Sequence, residues 1–501
     1  MDYITFLLVL SIVWAWIHVL TYSNSIRRKS LTAKLPPGPY PFPIIGNIFA
    51  LGNKPHQSLA NLSKIHGPLM SLKLGSITTI VVSSPRIAKE VLQTHDQAFS
   101  SRTIPDAAYG VDHHEVSMVW LPVSTKWRNL RKICKEHLFA LQRLDASQGL
   151  RRTKVQQLLD YVHESCNNGQ AVDIGRAAFT TSLNLLSNTV FSIDMAHYHS
   201  SSSQEFKDLV WAMMEQAGKP NFADYIPVLK LIDPQGARRQ LKFHFEKLLA
   251  MLEEIINQRL RERASSVTPL MYNDVLEALL NICDGNDTAL SLNDIKHLFL
   301  DLFAAGADTT SSTLEWAMAE LLKSPETMAK ARNELKEVIG KDGVVQESDI
   351  SNLIYLQAVV KEVFRLHPAA PFLLPRRAEA DAEICGFRVP KNAQVLVNIW
   401  ATGRDSSIWS NPDSFVPERF LDCEIDVRGQ DFELIPFGAG RRICPGLPLA
   451  YRMVHLMLAS LLHSFDWKLE QGMKLEDLDM TEKFGLTLQK AMPLKAIPIK
   501  V

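Results

Sequence analysis

The chain has 501 residues, of which 46% are hydrophobic, and its lysines and arginines balance its aspartates and glutamates at 54 each. This apolar content with balanced charge predicts a folded globule, and the absence of a basic surplus argues against nucleic-acid binding. The six cysteines are widely separated and form no CxxC pair, which argues against a disulfide-stapled fold and against a zinc site of the usual spacing.

Residues 3–22 form a nearly continuous apolar run, YITFLLVLSIVWAWIHVLTY. At about 1.5 Å per residue, a helix of this length spans the hydrocarbon core of a bilayer. The acidic Asp2 and the long apolar core argue against a cleaved signal peptide. Basic residues follow at Arg27, Arg28 and Lys29, so the positive-inside rule keeps the rest of the chain in the cytosol. We therefore predict an uncleaved, single-pass transmembrane anchor.

The next segment, residues 23–44, is basic and then proline-rich, with the sequence LPPGP at 35–39. Consecutive prolines exclude helix and favour a stiff, extended backbone. The segment is either a hinge that holds the body at a fixed angle to the membrane or an ordinary linker, and its position directly after an anchor favours the hinge. Residues 45–501 contain no repeat and no second linker, so they are predicted to form one large domain.

The body is predicted to be mainly α with small β-sheets, because long segments repeat their apolar residues at helical spacing. The predicted strands are 78–83, 393–399 and 485–490. The predicted helices are 150–166, 203–217, 240–263, 292–323, 325–339, 355–366 and 447–465.

The strongest chemical signal is the segment 437–446, FGAGRRICPG, which ends where the helix 447–465 begins. Unpaired N–H groups and the helix dipole at that position favour the thiolate form of Cys444, which would then be a metal ligand or a nucleophile. The glycines let a flat, bulky group approach the backbone, and Arg442 is placed to pair with an anionic substituent on it. The other interpretation is a buried structural cysteine in a glycine-rich turn.

This segment resembles the cysteine loop of the cytochrome P450 family, FxxGxRxCxG, at every fixed position. The resemblance implies a cytochrome P450 fold with an N-terminal transmembrane helix in the endoplasmic reticulum membrane. It also implies that Cys444 ligates the iron of haem b and that Phe437 and Arg442 belong to the cofactor site.

Glu362 and Arg365 lie three residues apart on a predicted helix and so share a face, and Arg419 occurs in the segment PERF. An ExxR pair taken alone is usually a solvated surface pair that contributes little stability. The order of the motifs resembles that of the family, which implies that the three residues form a buried ion-pair network behind the cysteine loop, with a structural role.

The segment 305–310, AGADTT, interrupts the apolar helix 292–323 with residues that are poor helix formers. A hydroxyl in the middle of a helix can donate back to a carbonyl and loosen the turn, leaving a polar gap. The alternative is a solvated surface stretch, but apolar residues on both sides indicate that the helix is buried. In the family such an acid–alcohol pair relays protons during oxygen activation, which makes Asp308 and Thr309 the candidates here.

Trp127 and Arg131 are spaced i and i+4 and resemble the WxxxR motif of the family, which contacts a haem propionate. Arg376 lies where the family often has another propionate partner. A basic stripe on the same short helix is either a solvated face or a docking surface for an acidic electron donor; it consists of Arg128, Lys132 and Lys135.

The resemblance implies a monooxygenase that uses O2, a small lipophilic substrate and electrons from NADPH–cytochrome P450 reductase. The chain has no nucleotide-binding glycine fingerprint of its own, which fits a separate donor. The stretches 66–84, 175–188, 301–318, 431–450 and 482–491 resemble a plant microsomal group that contains geraniol 8-hydroxylase and related terpenoid hydroxylases.

These resemblances make a terpenoid alcohol such as geraniol the expected substrate, with diterpenes and phenolics as alternatives. Two other interpretations stay open. One is a haem-thiolate isomerase or dehydratase that needs no reductase, which the retained acid–alcohol pair disfavours. The other is a membrane-bound haem protein without turnover.

By family analogy, the substrate pocket is lined from the segments 103–123, 303–309, 370–374 and 484–486. The predicted wall is apolar and includes Phe303, Ala305, Phe372, Leu374 and Phe484. The stretch 109–119, YGVDHHEVSMV, is unusually polar for such a wall, and its two histidines, His113 and His114, are expected to be solvated rather than ligands.

Overall fold

The computed structural model describes Ser11 and residues 34–265, 272–285, 290–470 and 472–500. Apart from Ser11, the anchor predicted at 3–22 lies outside these residues. Within the described part of the chain, no helix has both the length and the apolar character needed to cross a bilayer.

The described residues are mainly helical, as predicted. The α-helices in chain order are α1 (Pro55–His66), α2 (Pro85–Lys89), α3 (Thr125–Cys134), α4 (Leu141–Ala146), α5 (Gln148–Asn167), α6 (Ile174–Phe191), α7 (Ser201–Gly218), α8 (Phe222–Tyr225), α9 (Ala237–Ser265), α10 (Val275–Asp284), α11 (Leu292–Lys323), α12 (Pro325–Ile339), α13 (Ile354–Leu366), α14 (Ile399–Thr402) and α15 (Leu447–Ser464). The predicted bounds of α11 and α12 are confirmed, and those of the other predicted helices differ by three residues or fewer.

The helix α6 had no periodic signal in the sequence because it is buried on almost every side. Of its 18 residues, Ala177, Ala178, Phe179, Thr180 and Leu183 are among the buried ones, and they point in all directions around the axis. A helix without a polar face shows no amphipathic stripe, so periodicity does not reveal it.

Among the described residues, the strands are short and form four small sheets. They are β1 (Leu69–Leu74), β2 (Ile77–Val82), β3 (Ser101–Arg102), β4 (Val172–Asp173), β5 (Arg376–Arg377), β6 (Ala382–Ile384), β7 (Phe387–Val389), β8 (Gln394–Val397), β9 (Phe465–Leu469), β10 (Glu482–Phe484), β11 (Leu488–Lys490) and β12 (Lys495–Lys500). Their orders are β1-β2-β8-β5-β3, β4-β12-β9, β10-β11 and β6-β7. The predicted strand 485–490 is shorter than expected, because its first three residues form the turn between β10 and β11.

The long helix α11 crosses the body and packs closely against α6. Ser291 caps its N-terminus in a capping box with Asp294. At Gly306, an added Cβ would lie 2.8 Å from Leu186 Cδ1 of α6, closer than real side chains approach. The absence of a side chain at Gly306 therefore leaves room for Leu186 between the two helices.

The described part of the proline-rich hinge contains no helix, and it is attached to the body. The backbone N–H of Ser71 in β1 donates to Pro37 O at 2.8 Å, and its hydroxyl donates to Pro36 O at 2.6 Å. A Cβ at Gly38 would lie 1.8 Å from Ser71 O, so only glycine permits this approach. From residue 36 onward the segment is therefore part of the folded domain and not a free spacer.

The ExxR motif forms the buried network that the resemblance implied. Both carboxylate oxygens of Glu362 accept from Arg365 at 2.7 Å, and one also accepts from Arg419 Nε at 3.1 Å. The side chains of Glu362 and Arg365 have no exposed surface, so the alternative of a solvated surface pair is wrong. The network ties α13 to the segment that leads into the cysteine loop.

Removing the charge of Glu362 should strongly destabilise the fold, because two arginines would then be buried without a carboxylate. We expect Glu362→Gln to lower the free energy of unfolding by about 3–5 kcal/mol, measured by urea denaturation. The control is Glu136→Gln, which breaks an exposed pair with Lys132 at 3.9 Å and should leave stability almost unchanged. Equal effects from the two substitutions would contradict a structural role for the buried network.

Candidate active site

A cavity of about 360 Å³ lies between α11 and the loop that precedes α15. Most of its wall is apolar, and the side chains that contribute to it include Leu186, Met213, Leu241, Phe245, Leu300 and Leu486. Cys444 lies at its floor, and Thr309 lies on the α11 wall. The cysteine singled out from the sequence thus faces a space large enough for a ligand.

The loop that carries Cys444 is held rigidly. The backbone N–H of Cys444 donates to Phe437 O at 2.9 Å, and the Phe437 ring lies edge-on to Phe364 at 5.3 Å. Gly440 has φ 67°, and a Cβ there would lie 1.9 Å from Leu92 O. This glycine is therefore required for packing of the loop against Leu92, whereas the sequence suggested the approach of a flat group.

Burial raises the pKa of the Cys444 thiol, and the backbone N–H groups of Gly446 and Leu447, together with Arg131, only partly oppose this effect. The N–H groups at the start of α15 do favour the thiolate, as the sequence predicted, but burial outweighs them. A metal cation bound to the sulfur would deprotonate it directly, so the site suits a metal ligand better than a free nucleophile.

Four arginines converge on the cavity: Arg102 of β3, Arg131 of α3, Arg376 of β5 and Arg442 of the cysteine loop. In the described structure their hydrogen bonds go to backbone carbonyls, and none of the four has a carboxylate within ion-pair distance. Arg102 Nε, although buried, has no hydrogen-bond partner among the described residues. Three of the four side chains are buried, so the cavity end carries a concentrated positive charge.

Burial, together with the repulsion between these arginines, lowers the pKa of Arg376 and of Arg442 to about 10, and the pKa of Arg102 is lowered as well. Buried cations without counter-ions are unfavourable unless a ligand supplies negative charge. The arrangement therefore fits a flat group with two carboxylates, such as the propionates of haem b. Arg102 had no signal in the sequence, because it lies on a two-residue strand.

Trp127 supports two of these arginines. The guanidinium of Arg442 lies 4.7 Å from its ring centroid and that of Arg131 lies 5.6 Å away. Its indole N–H donates to Met118 O at 3.1 Å. Trp127 and Arg131 do share one face of α3, as the spacing predicted, and the indole positions the cationic groups.

The acid–alcohol pair is divided between two environments. Thr309 lines the cavity, and its hydroxyl donates back to Ala305 O at 2.7 Å, as the sequence predicted. Asp308 is fully buried away from the cavity, where it accepts from the Thr487 hydroxyl at 2.7 Å and from the Gln489 amide. Burial raises the pKa of Asp308 to about 6 in spite of these hydrogen bonds.

Of the predicted pocket residues, Ala305 and Leu374 line the cavity. The prediction is corrected for Phe303, Phe372 and Phe484, because their side chains do not contribute to the cavity wall in the described structure. Phe303 lies on the far side of α11 and stacks on Phe191 of α6, at 5.6 Å between ring centroids. Phe372 and Phe484 pack edge-on against each other at 6.1 Å, in the core beneath the five-stranded sheet.

The expectation that His113 is solvated is also corrected, because its side chain is buried. Its Nε2 lies 3.0 Å from Asp301 Oδ1, and its Nδ1 lies 2.7 Å from His297 Nδ1. His114 is half-buried, with its ring 4.2 Å from that of Tyr109. Asp301 and His297 were missed because their partners are far away in the sequence.

The basic stripe on and just after α3 is exposed at all three positions, Arg128, Lys132 and Lys135. Both interpretations made from the sequence, a solvated face and a docking surface, require this exposure.

Comparison with known proteins agrees with this geometry. The sequence matches the family described as Cytochrome P450 over residues 36–494. The chain belongs to the cytochrome P450 family. It is 60% identical to Cytochrome P450 76T24 of Catharanthus roseus, over 97% of each chain. It is 54% identical to geraniol 8-hydroxylase of the same plant over 99% of each chain, and 50% identical to ferruginol synthase of Isodon rubescens over 97% of this chain and 98% of that one.

Members of the cytochrome P450 family use haem b and electrons from a redox-partner reductase, and this cytochrome P450 is a monooxygenase of that kind. The four arginines and Cys444 are the residues that would hold the haem.

Loss of one cavity arginine should weaken haem binding. We expect Arg102→Gln to reduce haem affinity about 10-fold to 100-fold, the range for a hydrogen bond to a charged group. The ratio of haem to protein absorbance after dilution measures the loss. The control is Arg441→Gln, whose side chain is half-exposed and paired with Asp96 at 2.9 Å, and which should retain haem normally. Normal retention by both variants would argue against a carboxylate-bearing ligand at Arg102.

The raised pKa of Asp308 predicts a pH-dependent cost to folding. The pKa of Asp308 is about 6 in the fold and 3.8 for an ordinary aspartate, so the folded chain binds this proton more tightly than the unfolded chain. The free energy of unfolding is therefore highest below pH 4 and falls as the pH rises to 6. The difference corresponds to about 3 kcal/mol above pH 7. Asp308→Asn should therefore be more stable than the native chain at pH 8 and should lose this advantage at pH 4, as measured by urea denaturation. An advantage that does not change with pH would contradict the raised pKa.

Proposed function

We propose that this cytochrome P450 hydroxylates a small lipophilic terpenoid alcohol such as geraniol, using O2 and electrons from NADPH–cytochrome P450 reductase. The observation that carries the proposal is the cavity, whose wall is apolar except for a few polar groups and which ends at Cys444. The full-length similarity to geraniol 8-hydroxylase supports the choice of terpenoid.

When bound to Cys444, haem b supplies the oxygen chemistry, and the thiolate ligand promotes cleavage of the O–O bond. The apolar wall excludes water and orients the hydrocarbon part of the substrate. Thr309 holds a hydroxyl proton at the cavity wall, oriented by its hydrogen bond to Ala305 O. Asp308 is the adjacent proton source, and it must release Thr487 and Gln489 before it can turn toward the cavity.

The exposed basic stripe supports docking of an acidic electron donor. Arg128 and Lys132 lie on the solvent side of α3, whereas Trp127 and Arg131 of the same helix line the cavity. A donor bound to the stripe would therefore be separated from the cofactor site by the thickness of one helix.

Two exposed apolar segments, residues 42–49 and 222–232, support attachment to the endoplasmic reticulum membrane. The attachment would be through the predicted single-pass anchor at 3–22, with the catalytic domain in the cytosol. Both segments contact the turn between β1 and β2, through the backbone hydrogen bonds Gly75 N to Ile45 O at 3.0 Å and Ser76 N to Tyr225 O at 2.7 Å. Their exposed side chains include Phe42, Ile44, Phe49, Leu231 and Ile232. Adjacent exposed apolar side chains are typical of a surface that contacts lipid.

The test is turnover by membranes that contain the full chain and the reductase, supplied with NADPH. Geraniol, nerol, a diterpene olefin and a simple phenol are compared, and geraniol should give the fastest NADPH-dependent hydroxylation. Thr309→Ala should form less product and more hydrogen peroxide per NADPH, because the cavity hydroxyl is lost. Ser311→Ala is the control, since its hydroxyl is buried on the same helix and bonded to Asp308 O at 2.9 Å.

Each outcome tests a different part of the proposal. A thiolate-type spectrum of the reduced CO complex supports Cys444 as ligand, and a histidine-type spectrum excludes it. Faster turnover of the diterpene or the phenol would replace the terpenoid alcohol as substrate class. Conversion without reductase would indicate an isomerase or dehydratase, and unchanged coupling in Thr309→Ala would refute its proton role.

A further inference from the structure

The cavity wall contains a polar cluster that the oxygen chemistry does not use. Asp301 of α11 and His113 line the cavity, and Ser117 lies buried behind them. The Ser117 hydroxyl lies 2.8 Å from Asp301 Oδ1 and 2.9 Å from Oδ2, and His113 Nε2 lies 3.0 Å from Oδ1. Apolar side chains such as Leu300 and Phe245 surround the cluster on the same wall.

The Asp301 carboxylate has room for another donor. A carboxylate offers about four acceptor positions, and the two described donors make three contacts with it. Oδ2 accepts only from Ser117 among the described residues. The contact with Ser117 also shows that a hydroxyl group is a suitable donor for this carboxylate.

The cluster is held in place before any ligand arrives. His113 is stacked on His297, with 5.0 Å between ring centroids and 2.7 Å between the two Nδ1 atoms. The Ser117 hydroxyl oxygen in turn accepts from Val119 N at 3.0 Å. Within the described residues, His113 is the only ion-pair partner of Asp301. A donor on a ligand would therefore meet a fixed acceptor with no lysine or arginine competing for it.

The position of Asp301 relates this acceptor to the reaction site. Asp301, Ala305 and Thr309 are spaced i, i+4 and i+8 on α11, and all three line the cavity. Eight residues of α-helix correspond to about 12 Å along the axis. A hydroxyl bound at Asp301 and a carbon presented beside Thr309 would therefore lie toward opposite ends of an extended small molecule.

We propose that Asp301, oriented by His113 and Ser117, binds the hydroxyl group of the substrate and thereby selects a distant carbon for oxidation. The substrate class is an alcohol with a long apolar body. The choice of a terpenoid body rests on the function proposed above, but the hydroxyl site itself does not.

The test compares geraniol with geranyl methyl ether, which has the same body but no donor. Binding is measured on the haem-loaded full chain by equilibrium titration. The native protein should bind the alcohol at least about 10-fold more tightly than the ether, as expected for a hydrogen bond to a charged acceptor. Asp301→Asn should reduce this preference by about 10-fold and should yield a broader mixture of hydroxylated carbons.

The matched control is Glu320→Gln. Glu320 is a buried carboxylate on the same helix that bonds His367 Nε2 at 2.7 Å, but it does not line the cavity. This substitution should leave both the alcohol preference and the product ratio unchanged. The reduced CO spectrum verifies that each variant retains its thiolate ligand.

Two results would overturn the inference. If the native protein binds the alcohol and the ether equally, no hydroxyl site exists, and this comparison needs no variant. If Asp301→Asn weakens both ligands equally with an unchanged product ratio, the cluster only fixes the 113–117 segment to α11. If neither geranyl compound binds, the terpenoid assignment is wrong but the hydroxyl site is not yet excluded. An alkylphenol and its methyl ether are then compared in the same way, and equal binding of these two overturns the hydroxyl site.

Discussion

The charge imbalance at one end of the cavity is the constraint on which the arrangement of this protein depends. Arg102, Arg131, Arg376 and Arg442 come from distant parts of the chain, and none of them has a carboxylate within ion-pair distance among the described residues. Their mutual repulsion opposes folding, so a dianionic group bound between them would stabilise the fold. The cation–π contacts of Trp127 and the carbonyl hydrogen bonds keep the four side chains in position meanwhile.

The helix α11 carries side chains with different roles at different positions along its length. Gly306 leaves room for the side chain of Leu186 where α11 packs against α6. From that position α11 presents Asp301 near one end of the cavity and Thr309 near the other, with Asp308 directed into the protein. One rigid element thus sets the distances between groups that would be poorly defined on separate loops.

The parts that could be predicted from the sequence are those with a local signal. Helical periodicity located α11 and α12, and the fixed spacing of the cysteine loop located Cys444 and Arg442. The helix α6 could not be found this way, because it has no polar face. Arg102, His113 and Asp301 act through partners far away in the chain, so their burial and pairing appear only after folding. The side-chain direction of Phe303 depended on which face of α11 meets α6.

The short turn between β10 and β11 contributes both to the cavity wall and to the surroundings of Asp308. Leu486 and Thr487 of this turn line the cavity, and the Thr487 hydroxyl also holds the Asp308 carboxylate at 2.7 Å. A molecule that contacts the turn would therefore also contact a hydrogen-bond donor of Asp308. The wall that a bound molecule would touch is thus built from the same residues that hold the Asp308 carboxylate.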